Sequence, residues 1–355
     1  MISKTVKYIL FLTFFYCNTL NAYNLRQISN KDGLSNSAIL SMCQDIDGLM
    51  WFGSCDGLNL YNGLNVQLYN PTNNNERLSG NLIENILQTP DGTLWIYTNY
   101  GLNKLNLTEY KQFKGRYLMQ KDKENNLFII DRDYTIHYYN HVSDSFKEIA
   151  LENLKYEDIL DFIVTPNGKL HIFSKTGYNP SFSIQRQQNG EINLVPENLW
   201  EHDRKLFACF HEKESQEYIF FIDDAFILYE YNLTNKTKTR ITDLGKEIVD
   251  RGEISSIIKH HNDYFIGFKT NGLLRLKRQT IANNDYQTEE IDIRSGVFCL
   301  LKDRFQDLVW IGTDGQGVYL YSNTQHSIRS YVFSNFYPNV EKPVLVPLTE
   351  TGTVV

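Results

Sequence analysis

A short pattern occurs twice in the first part of the chain and limits the folds that it can adopt. Residues 47–58 read Asp-Gly-Leu-Met-Trp-Phe-Gly-Ser-Cys-Asp-Gly-Leu, and residues 91–102 read Asp-Gly-Thr-Leu-Trp-Ile-Tyr-Thr-Asn-Tyr-Gly-Leu. A looser copy runs from Trp310 to Val318. Asp-Gly favours a tight two-residue hairpin with positive φ, Trp suits the middle of a strand, and the second Gly allows another reversal. Each copy therefore predicts three short strands joined by two turns.

The spacing of the copies predicts a ring of sheets. Trp51 and Trp95 are 44 residues apart, as expected for a four-stranded propeller blade of about 40–50 residues. One unit cannot bury its two apolar faces alone, and the segments between turns are short and rich in Tyr, Phe, Ile and Val. We therefore predict an all-β fold, a seven-bladed β-propeller of four-stranded antiparallel blades. Five weaker copies follow: four have another residue in the Trp position (Phe128, His171, Ile219 and Phe265), and the last has Trp310.

The sequence also predicts the blade spacing, the closing strand and the inner strands of this ring. The step from Trp95 to Phe128 is only 33 residues, so that blade is either shortened or lies elsewhere. The isolated strand at Tyr23–Ser29 precedes the first unit, and we predict that it completes the blade around Trp310 and closes the ring. Inner strands are predicted from short apolar segments at 39–44, 85–88, 159–164, 206–210, 254–259 and 297–302.

Composition and the N-terminus predict where the protein acts. The net charge of −7 without a basic stripe argues against nucleic-acid binding. Residues 1–22 read as a signal peptide, because two lysines precede a short apolar run and Leu20-Asn21-Ala22 resembles a cleavage site. The alternative is an N-terminal strand of the fold. We expect a periplasmic protein with a propeller at 23–340, followed at 341–355 by a disordered tail or the start of a missing repeat.

The predicted blades place one set of polar turns on a single face. In a four-stranded blade, the turn between the second and third strands emerges with the blade-to-blade connections, opposite the Asp-Gly hairpins. Amides, carboxylates and an aromatic ring suit a carbohydrate, which offers hydroxyl edges and C–H faces. The alternative is that these residues bond only their own backbone. The ligand-binding candidates are Asn36, Asp56, Asn99, Tyr100, Asn271, Thr313 and Asp314, and the residues predicted to be structural are Trp51, Trp95, Trp310, Gly48, Gly57, Gly92 and Gly101.

No spacing of residues indicates a metal, a cofactor or a catalytic group. No spacing of cysteines and histidines suggests zinc, which prefers close Cys or His pairs at set intervals, and the sequence does not decide whether Cys43 and Cys55 form a disulfide. His260 and His261 are adjacent, so alternation along a strand predicts that their rings point to opposite faces. Asp223-Asp224 reads as a turn rather than an acid/base pair. Two alternatives to ligand sensing remain: a periplasmic lyase or glycoside-active hydrolase that uses the same face, and a scaffold for a protein partner.

The repeated motif also resembles a known family. Gly-Leu-Ser-Asn at 33–36 is followed at 45–61 by Asp-x-Asp-Gly-x-x-Trp-x-Gly-Ser-x-x-Gly-Leu-x-x-Tyr, with further copies at 91–105 and 310–321. This arrangement is similar to the two-component regulator propeller repeat, found in the periplasmic sensor region of hybrid two-component histidine kinases. The resemblance covers about residues 23–340.

The resemblance implies sensing of glycan-derived oligosaccharides outside the cytoplasm, and it allows a homodimer. Kinase, receiver and DNA-binding parts of such sensors are missing from this sequence, so we expect a truncated or fragmentary product of a sensor gene. The expected function is therefore an oligosaccharide-binding, non-catalytic sensor domain without a cofactor. It would bind no nucleic acid itself and would reach the membrane only through the missing downstream parts.

Overall fold

The computed structural model describes most of the chain between Tyr23 and Asn323. Within that range, the residues outside the description are 70–77, 106–109, 114–117, 123–125, 131–135, 150–158, 166, 177, 198–199, 202–204, 213–216 and 280–285. The predicted signal peptide at 1–22 and the predicted tail at 341–355 also lie outside the described residues. The strands form one compact unit from Leu25 to Ser322.

Short strands separated by turns account for nearly all of the described structure. One short 3₁₀ turn (Asn30–Asp32) and one helix, α1 (Gly245–Arg251), interrupt them. The strands are β1 (Asn24–Ile28), β2 (Ile39–Gln44), β3 (Met50–Ser54), β4 (Gly57–Tyr61), β5 (Val66–Tyr69), β6 (Ile83–Gln88), β7 (Leu94–Thr98), β8 (Gly101–Leu105), β9 (Tyr110–Phe113), β10 (Leu118–Lys121), β11 (Leu127–Ile130), β12 (Ile136–Asn140), β13 (Ser145–Ile149), β14 (Ile159–Val164), β15 (Lys169–Ser174), β16 (Tyr178–Asn179), β17 (Ser181–Arg186), β18 (Ile192–Pro196), β19 (Trp200–Glu201), β20 (Leu206–His211), β21 (Tyr218–Asp223), β22 (Ile227–Asn232), β23 (Thr237–Asp243), β24 (Ile254–His260), β25 (Asp263–Phe268), β26 (Leu273–Arg278), β27 (Tyr286–Ile291), β28 (Val297–Lys302), β29 (Val309–Thr313) and β30 (Val318–Ser322).

These strands form a seven-bladed propeller, which confirms the predicted fold. Each blade is a four-stranded antiparallel sheet. Blade 1 contains β2–β5, blade 2 β6–β9, blade 3 β10–β13, blade 4 β14, β15, β17 and β18, blade 5 β20–β23, blade 6 β24–β27, and blade 7 β28–β30 with β1. A short ladder of β16 with β19 lies beside blades 4 and 5.

The ring closes through the N-terminal strand, as predicted. β1 pairs with β30 and becomes the outer strand of blade 7. Ile28 on this strand is 1% exposed and packs in one cluster with Phe52 of blade 1 and Trp310 of blade 7. The inner strands contact one another in sequence around the ring, and β28 of the last blade contacts β2 of the first. Because the first and the last described strands pair in blade 7, the ring of blades is continuous.

The short step to the third blade results from its connection. Phe128 lies in β11, the second strand of blade 3, so the predicted position is correct. Only residues 114–117 separate β9 from β10, whereas residues 70–82 separate blade 1 from blade 2. The sequence analysis missed β10 as an inner strand, since its two apolar residues are followed by Gln120 and Lys121.

The three blade tryptophans fill the spaces between blades. Trp95 is fully buried and meets the ring of Tyr139 from blade 3 edge-on at 5.0 Å. Trp310 is almost fully buried against Phe52 of blade 1, with ring centroids 5.9 Å apart. Trp51 is only half-buried and contacts Tyr69 of its own blade at 5.5 Å. Large planar side chains therefore provide the contact between neighbouring blades, and Trp51 provides less of it than the other two.

The hairpin between the first two strands of blade 1 differs from the predicted two-residue turn. Asp45 N donates to Leu49 O and Gly48 N to Asp45 O, so the loop is longer. Gly48 has φ 84°, but Asp47 does not have positive φ. The side chain that orders this loop is Asp45, whose carboxylate accepts the N–H groups of Asp47 and Leu49 and the Trp51 indole at 2.9 Å. In this Asp-x-Asp-Gly-x-x-Trp motif, the carboxylate of the first aspartate therefore fixes the turn and the orientation of the tryptophan indole.

This arrangement predicts unequal roles for the two aspartates of one hairpin. Asp45→Ala should lower the free energy of unfolding by about 2 kcal/mol, because it leaves several donors without a charged acceptor. Asp47→Ala should change it by less than about 0.5 kcal/mol, since Asp47 is exposed. Urea unfolding followed by tryptophan fluorescence compares the two variants. Equal losses of unfolding free energy in the two variants would contradict the dominant role of Asp45 in this hairpin.

Candidate functional site

The turns between second and third strands meet the blade-to-blade connections on one side of the propeller, which we call the connection face. The opposite side carries the hairpins between first and second strands and is called the hairpin face. Backbone hydrogen bonds connect the turns of blades 1, 2, 5, 6 and 7 to blade-to-blade connections and give the face a fixed shape. Examples are Gly57 N to Asn81 O at 2.6 Å, Asn99 N to Leu82 O at 3.1 Å, Lys269 N to Glu253 O at 2.9 Å and Asp314 N to Gly296 O at 2.8 Å.

A serine in the connection and an asparagine in the third strand anchor this face in blade 1. Asn59 Oδ1 accepts the Ser35 N–H at 2.9 Å, and the hydroxyls of Ser35 and Ser54 lie 3.1 Å apart. Asn59 is fully buried and also donates to Phe52 O. Ser35 of Leu-Ser, Ser54 of Gly-Ser and Asn59 of Gly-Leu-Asn therefore belong to one hydrogen-bonded unit.

Blade 2 repeats this unit with one substitution. Asn103 Oδ1 accepts the Ser79 N–H at 2.8 Å, and Ser79 Oγ lies 2.7 Å from Thr98 Oγ1. The sequence analysis singled out neither Asn59 nor Asn103. Their common position, two residues after the Gly of Gly-Leu, was the signal that could have identified them.

The predicted ligand candidates lie on the connection face, on four consecutive blades of the ring. They belong to blades 6, 7, 1 and 2, and their exposure divides them. Asp56, Tyr100, Asn271 and Asp314 are exposed, Asn36 and Asn99 are half-buried, and Thr313 is fully buried.

Several of these candidates already bond within the face. Thr313 Oγ1 donates to Gly317 O at 2.7 Å, so this hydroxyl closes its own turn. Asn36 Oδ1 accepts the Ala38 N–H at 2.7 Å. Asp56 Oδ1 accepts from Asn81 Nδ2 at 3.1 Å, which leaves the other carboxylate oxygen outside this bond. Thr313 and Asn36 thus have structural tasks, and the exposed candidates keep groups that face solvent.

Tyr100 and Asn99 differ from the other candidates because they offer an exposed aromatic ring and an amide oxygen without a hydrogen-bond partner among the described residues. Tyr100 is 69% exposed at the tip of the blade 2 turn. Asn99 Oδ1 is buried and has no hydrogen-bond partner among the described residues. A Cβ at Gly80 would collide with Asn99 Oδ1 and with the Tyr100 ring, so glycine is needed for the connection to pass this closely. The turn that carries these two side chains is therefore packed against the connection from blade 1 to blade 2 at Gly80.

Bulges mark the start of the inner strands, near the connection face. Six of the seven described inner strands contain an extra residue one position after their start. Bulges re-aim side chains and are enriched beside binding sites. We call these residues the channel-mouth ring: Leu40, Glu84, Leu160, Phe207, Ser255 and Phe298. Four are apolar, and Phe207 is 46% exposed. No sequence signal distinguished them, because a bulge is a property of the pairing register.

Polar side chains on the inner strands connect different blades, including blades that are not neighbours. His211 of blade 5 lies 2.6 Å from Gln120 of blade 3, and its Nδ1 is 2.6 Å from Asp161 of blade 4. Glu212, next in the chain, accepts from Lys302 of blade 7 at 3.1 Å. Inner strands end at the hairpin face, so most of these contacts lie towards that side of the channel. A ligand would consequently meet these contacts last if it approached from the connection face.

Two histidines with lowered pKa values, His171 and His260, occupy packed positions. Burial lowers the pKa of His171 to about 4, with a further contribution from Lys169, and its Nδ1 lies 2.6 Å from Ser181 Oγ. Burial also lowers the pKa of His260. His171 is therefore neutral near pH 7 and fills the Trp position of blade 4 as a structural residue.

The prediction for the adjacent histidine pair was wrong. The His260 and His261 rings lie with centroids 4.4 Å apart rather than on opposite faces. His260 is the last residue of β24, whereas His261 lies in the hairpin with φ 55°, in the left-handed region. Alternation of side chains holds only for extended backbone, so it does not extend to His261. No disulfide joins Cys43 to Cys55.

Comparisons with known proteins agree with this architecture. Residues 33–56 match the family model described as two component regulator propeller. The matched segment contains the anchoring Ser35 and Ser54 and the Asp45–Trp51 hairpin. A search of curated proteins gives no significant match.

Solved structures of extracellular domains from two component and one component systems share the fold. One is described as the extracellular domain of the hybrid two component system BT3049 from B. thetaiotaomicron, with 19% identity and a TM-score of 0.61 over 85% of this chain and 42% of that chain. Another is described as the extracellular domain of the one component system BT4673 from the same organism, with 18% identity and a TM-score of 0.56 over 83% of this chain and 40% of that chain. The chain thus spans about two-fifths of the structures that it matches. Among its described helices, none has the length and apolar character needed to cross a membrane.

Proposed function

We propose that this chain, which carries a two-component regulator propeller repeat at residues 33–56, is an extracytoplasmic sensing propeller that binds an oligosaccharide without transforming it. The sensor proteins that share its fold support the sensing role. Transmission of a signal would require parts beyond the propeller. Residues 1–22 would direct export and place the connection face in the periplasm.

The exposed Tyr100 beside Asn99 is the observation that carries the proposal. A solvent-facing aromatic ring offers a flat apolar surface to the C–H face of a sugar. The neighbouring Asn99 Oδ1 lacks a partner among the described residues, and a buried acceptor without a donor is costly. A sugar hydroxyl could supply that donor after a small movement of the turn. The pair therefore combines the two kinds of contact that carbohydrates need.

Neighbouring blades add polar groups to the same surface. Asp56 in blade 1 and Asp314 in blade 7 are exposed carboxylates on the connection face, and Asn271 in blade 6 offers an exposed amide. Carboxylates and amides accept hydrogen bonds from sugar hydroxyls. An extended oligosaccharide, rather than a monosaccharide, would span these positions on consecutive blades.

The channel favours the connection face as the side of entry. The channel-mouth ring places mainly apolar residues at that end of the inner strands. Contacts such as His211 with Gln120 bridge the channel between blades nearer the hairpin face. A ligand that enters from the connection face would therefore meet the apolar residues first.

The enzyme alternative has one feature in its favour, the His211–Asp161 pair. An aspartate that orients a histidine is a common arrangement for a general base. Here the other ring nitrogen of His211 already contacts Gln120 Nε2 at 2.6 Å. The base position is thus occupied by a protein amide rather than directed to a substrate, which favours sensing.

Binding and turnover can be separated in one experiment. The full chain is screened against a panel of oligosaccharides by calorimetry, and each mixture is then analysed by chromatography for new products. We expect saturable binding of at least one oligosaccharide, with the same oligosaccharide recovered intact. Product formation abolished by His211→Ala would establish the enzyme alternative, and absence of binding across the panel would contradict the sensing proposal.

A further inference from the structure

Two histidines and an aspartate from neighbouring blades converge on the hairpin face. His260 and His261 follow one another at the end of β24 in blade 6, and Asp307 lies in the hairpin between β28 and β29 of blade 7. One ligand atom from each residue lies within 4.8 Å of the other two. The geometry points to a binding site for a divalent transition-metal cation, such as Zn²⁺, that joins blade 6 to blade 7.

The three donor atoms face a common point. His260 Nε2 lies 2.8 Å from Asp307 Oδ1, and His261 Nε2 lies 2.6 Å from the same oxygen. His261 Nε2 forms a hydrogen bond with Asp307 Oδ1, whereas the buried His260 Nε2 completes no hydrogen bond among the described residues. The His260 side chain is only 5% exposed. A buried ring nitrogen without a partner, directed at a carboxylate and a second imidazole, is a site that a cation would complete.

The distances allow a cation after a small adjustment. Zn²⁺ binds nitrogen and oxygen at about 2.0–2.2 Å in a tetrahedron, which places its donor atoms about 3.3–3.5 Å apart. Each histidine nitrogen must therefore move away from Asp307 Oδ1 by less than about 1 Å. The side chains of His261 and Asp307 are 60% and 43% exposed and can move, whereas His260 stays fixed by burial. Three protein ligands would leave the fourth position to water.

The donor set selects the class of metal. Two imidazoles and one carboxylate suit Zn²⁺, Cu²⁺ or Ni²⁺. Ca²⁺ and Mg²⁺ prefer oxygen ligands and need more of them. The positive charge of Lys302 acts on His260, but its ammonium donates to Glu212 at 3.1 Å and is thereby partly compensated. The site is separate from the connection face, so it does not depend on the proposed oligosaccharide.

Zinc binding can be measured on the full chain without an affinity tag. After treatment with EDTA and dialysis, calorimetric titration with ZnCl₂ should give one site per chain, and the melting temperature should rise by about 2–4 °C at saturation. Mg²⁺ at the same concentration should give neither effect. Failure to detect a saturable Zn²⁺ site would overturn the proposal.

Variants locate the site. His261→Ala and Asp307→Asn remove exposed ligands, so both variants should fold, and each should weaken Zn²⁺ binding at least about tenfold. Matched controls are His141→Ala, an exposed histidine elsewhere, and Gln306→Ala, the neighbour of Asp307 on the same hairpin. Both controls should bind as the unmodified chain does. Unchanged binding in His261→Ala would place the Zn²⁺ elsewhere and contradict the proposal.

Discussion

Trp95→Ala is expected to lower the free energy of unfolding by about 3–5 kcal/mol, which is a large part of the total of about 5–15 kcal/mol for a typical domain. The indole is fully buried between blades 2 and 3, against Tyr139 and Phe146. Its removal leaves a cavity that rigid strands on both sides cannot fill. Because the ring depends on contacts between successive blades, we expect the whole propeller to unfold at low urea or in the absence of denaturant.

The control for this prediction lies on the same blade. Tyr100→Ala removes an aromatic ring of similar size from the surface, where it is 69% exposed, so stability should change by less than about 0.5 kcal/mol. Urea unfolding followed by circular dichroism measures both variants. A Trp95→Ala protein that unfolds at the same urea concentration as Tyr100→Ala would contradict the packing role assigned to this residue.

The sequence predicted the fold well because the repeat fixes it. The interval between Trp51 and Trp95 and the weaker copies after them were sufficient for seven blades, and the isolated N-terminal strand predicted closure through β1. Details that depend on register were not accessible. Leu40 and Phe207 are bulge residues only because of how their strands pair with the next ones. The periodicity of a sequence carries no information about such single-residue shifts.

Individual side-chain contacts, both within a hairpin and between blades, could not be predicted either. The sequence assigned the blade 1 turn to Asp47 and Gly48, but the buried Asp45 organises it through the Trp51 indole. Alternation along a strand separated His260 from His261, whereas a left-handed residue brings the two rings together. Asp307 is 46 residues from His261 and joins them only because blades 6 and 7 are neighbours.

The candidate site was predicted as a face but not as a ranked set of residues. Topology alone placed the seven candidates with the blade-to-blade connections, since strand direction decides which turns share a side. Only the structure shows that Thr313 closes its own turn while Tyr100 faces solvent. Burial of an individual turn residue depends on its neighbours in other blades, which a local motif does not specify.

Calorimetric titration of an oligosaccharide found in the screen, into Tyr100→Ala and Phe305→Ala side by side, tests the connection face most directly. Phe305 is a matched control, because it is 64% exposed and lies in the β28–β29 hairpin on the opposite face. We predict that Tyr100→Ala binds about tenfold or more weakly, a loss of at least about 1.4 kcal/mol, and that Phe305→Ala binds as the unmodified chain does. Unchanged affinity in Tyr100→Ala, or a comparable loss in Phe305→Ala, would contradict ligand binding at the connection face.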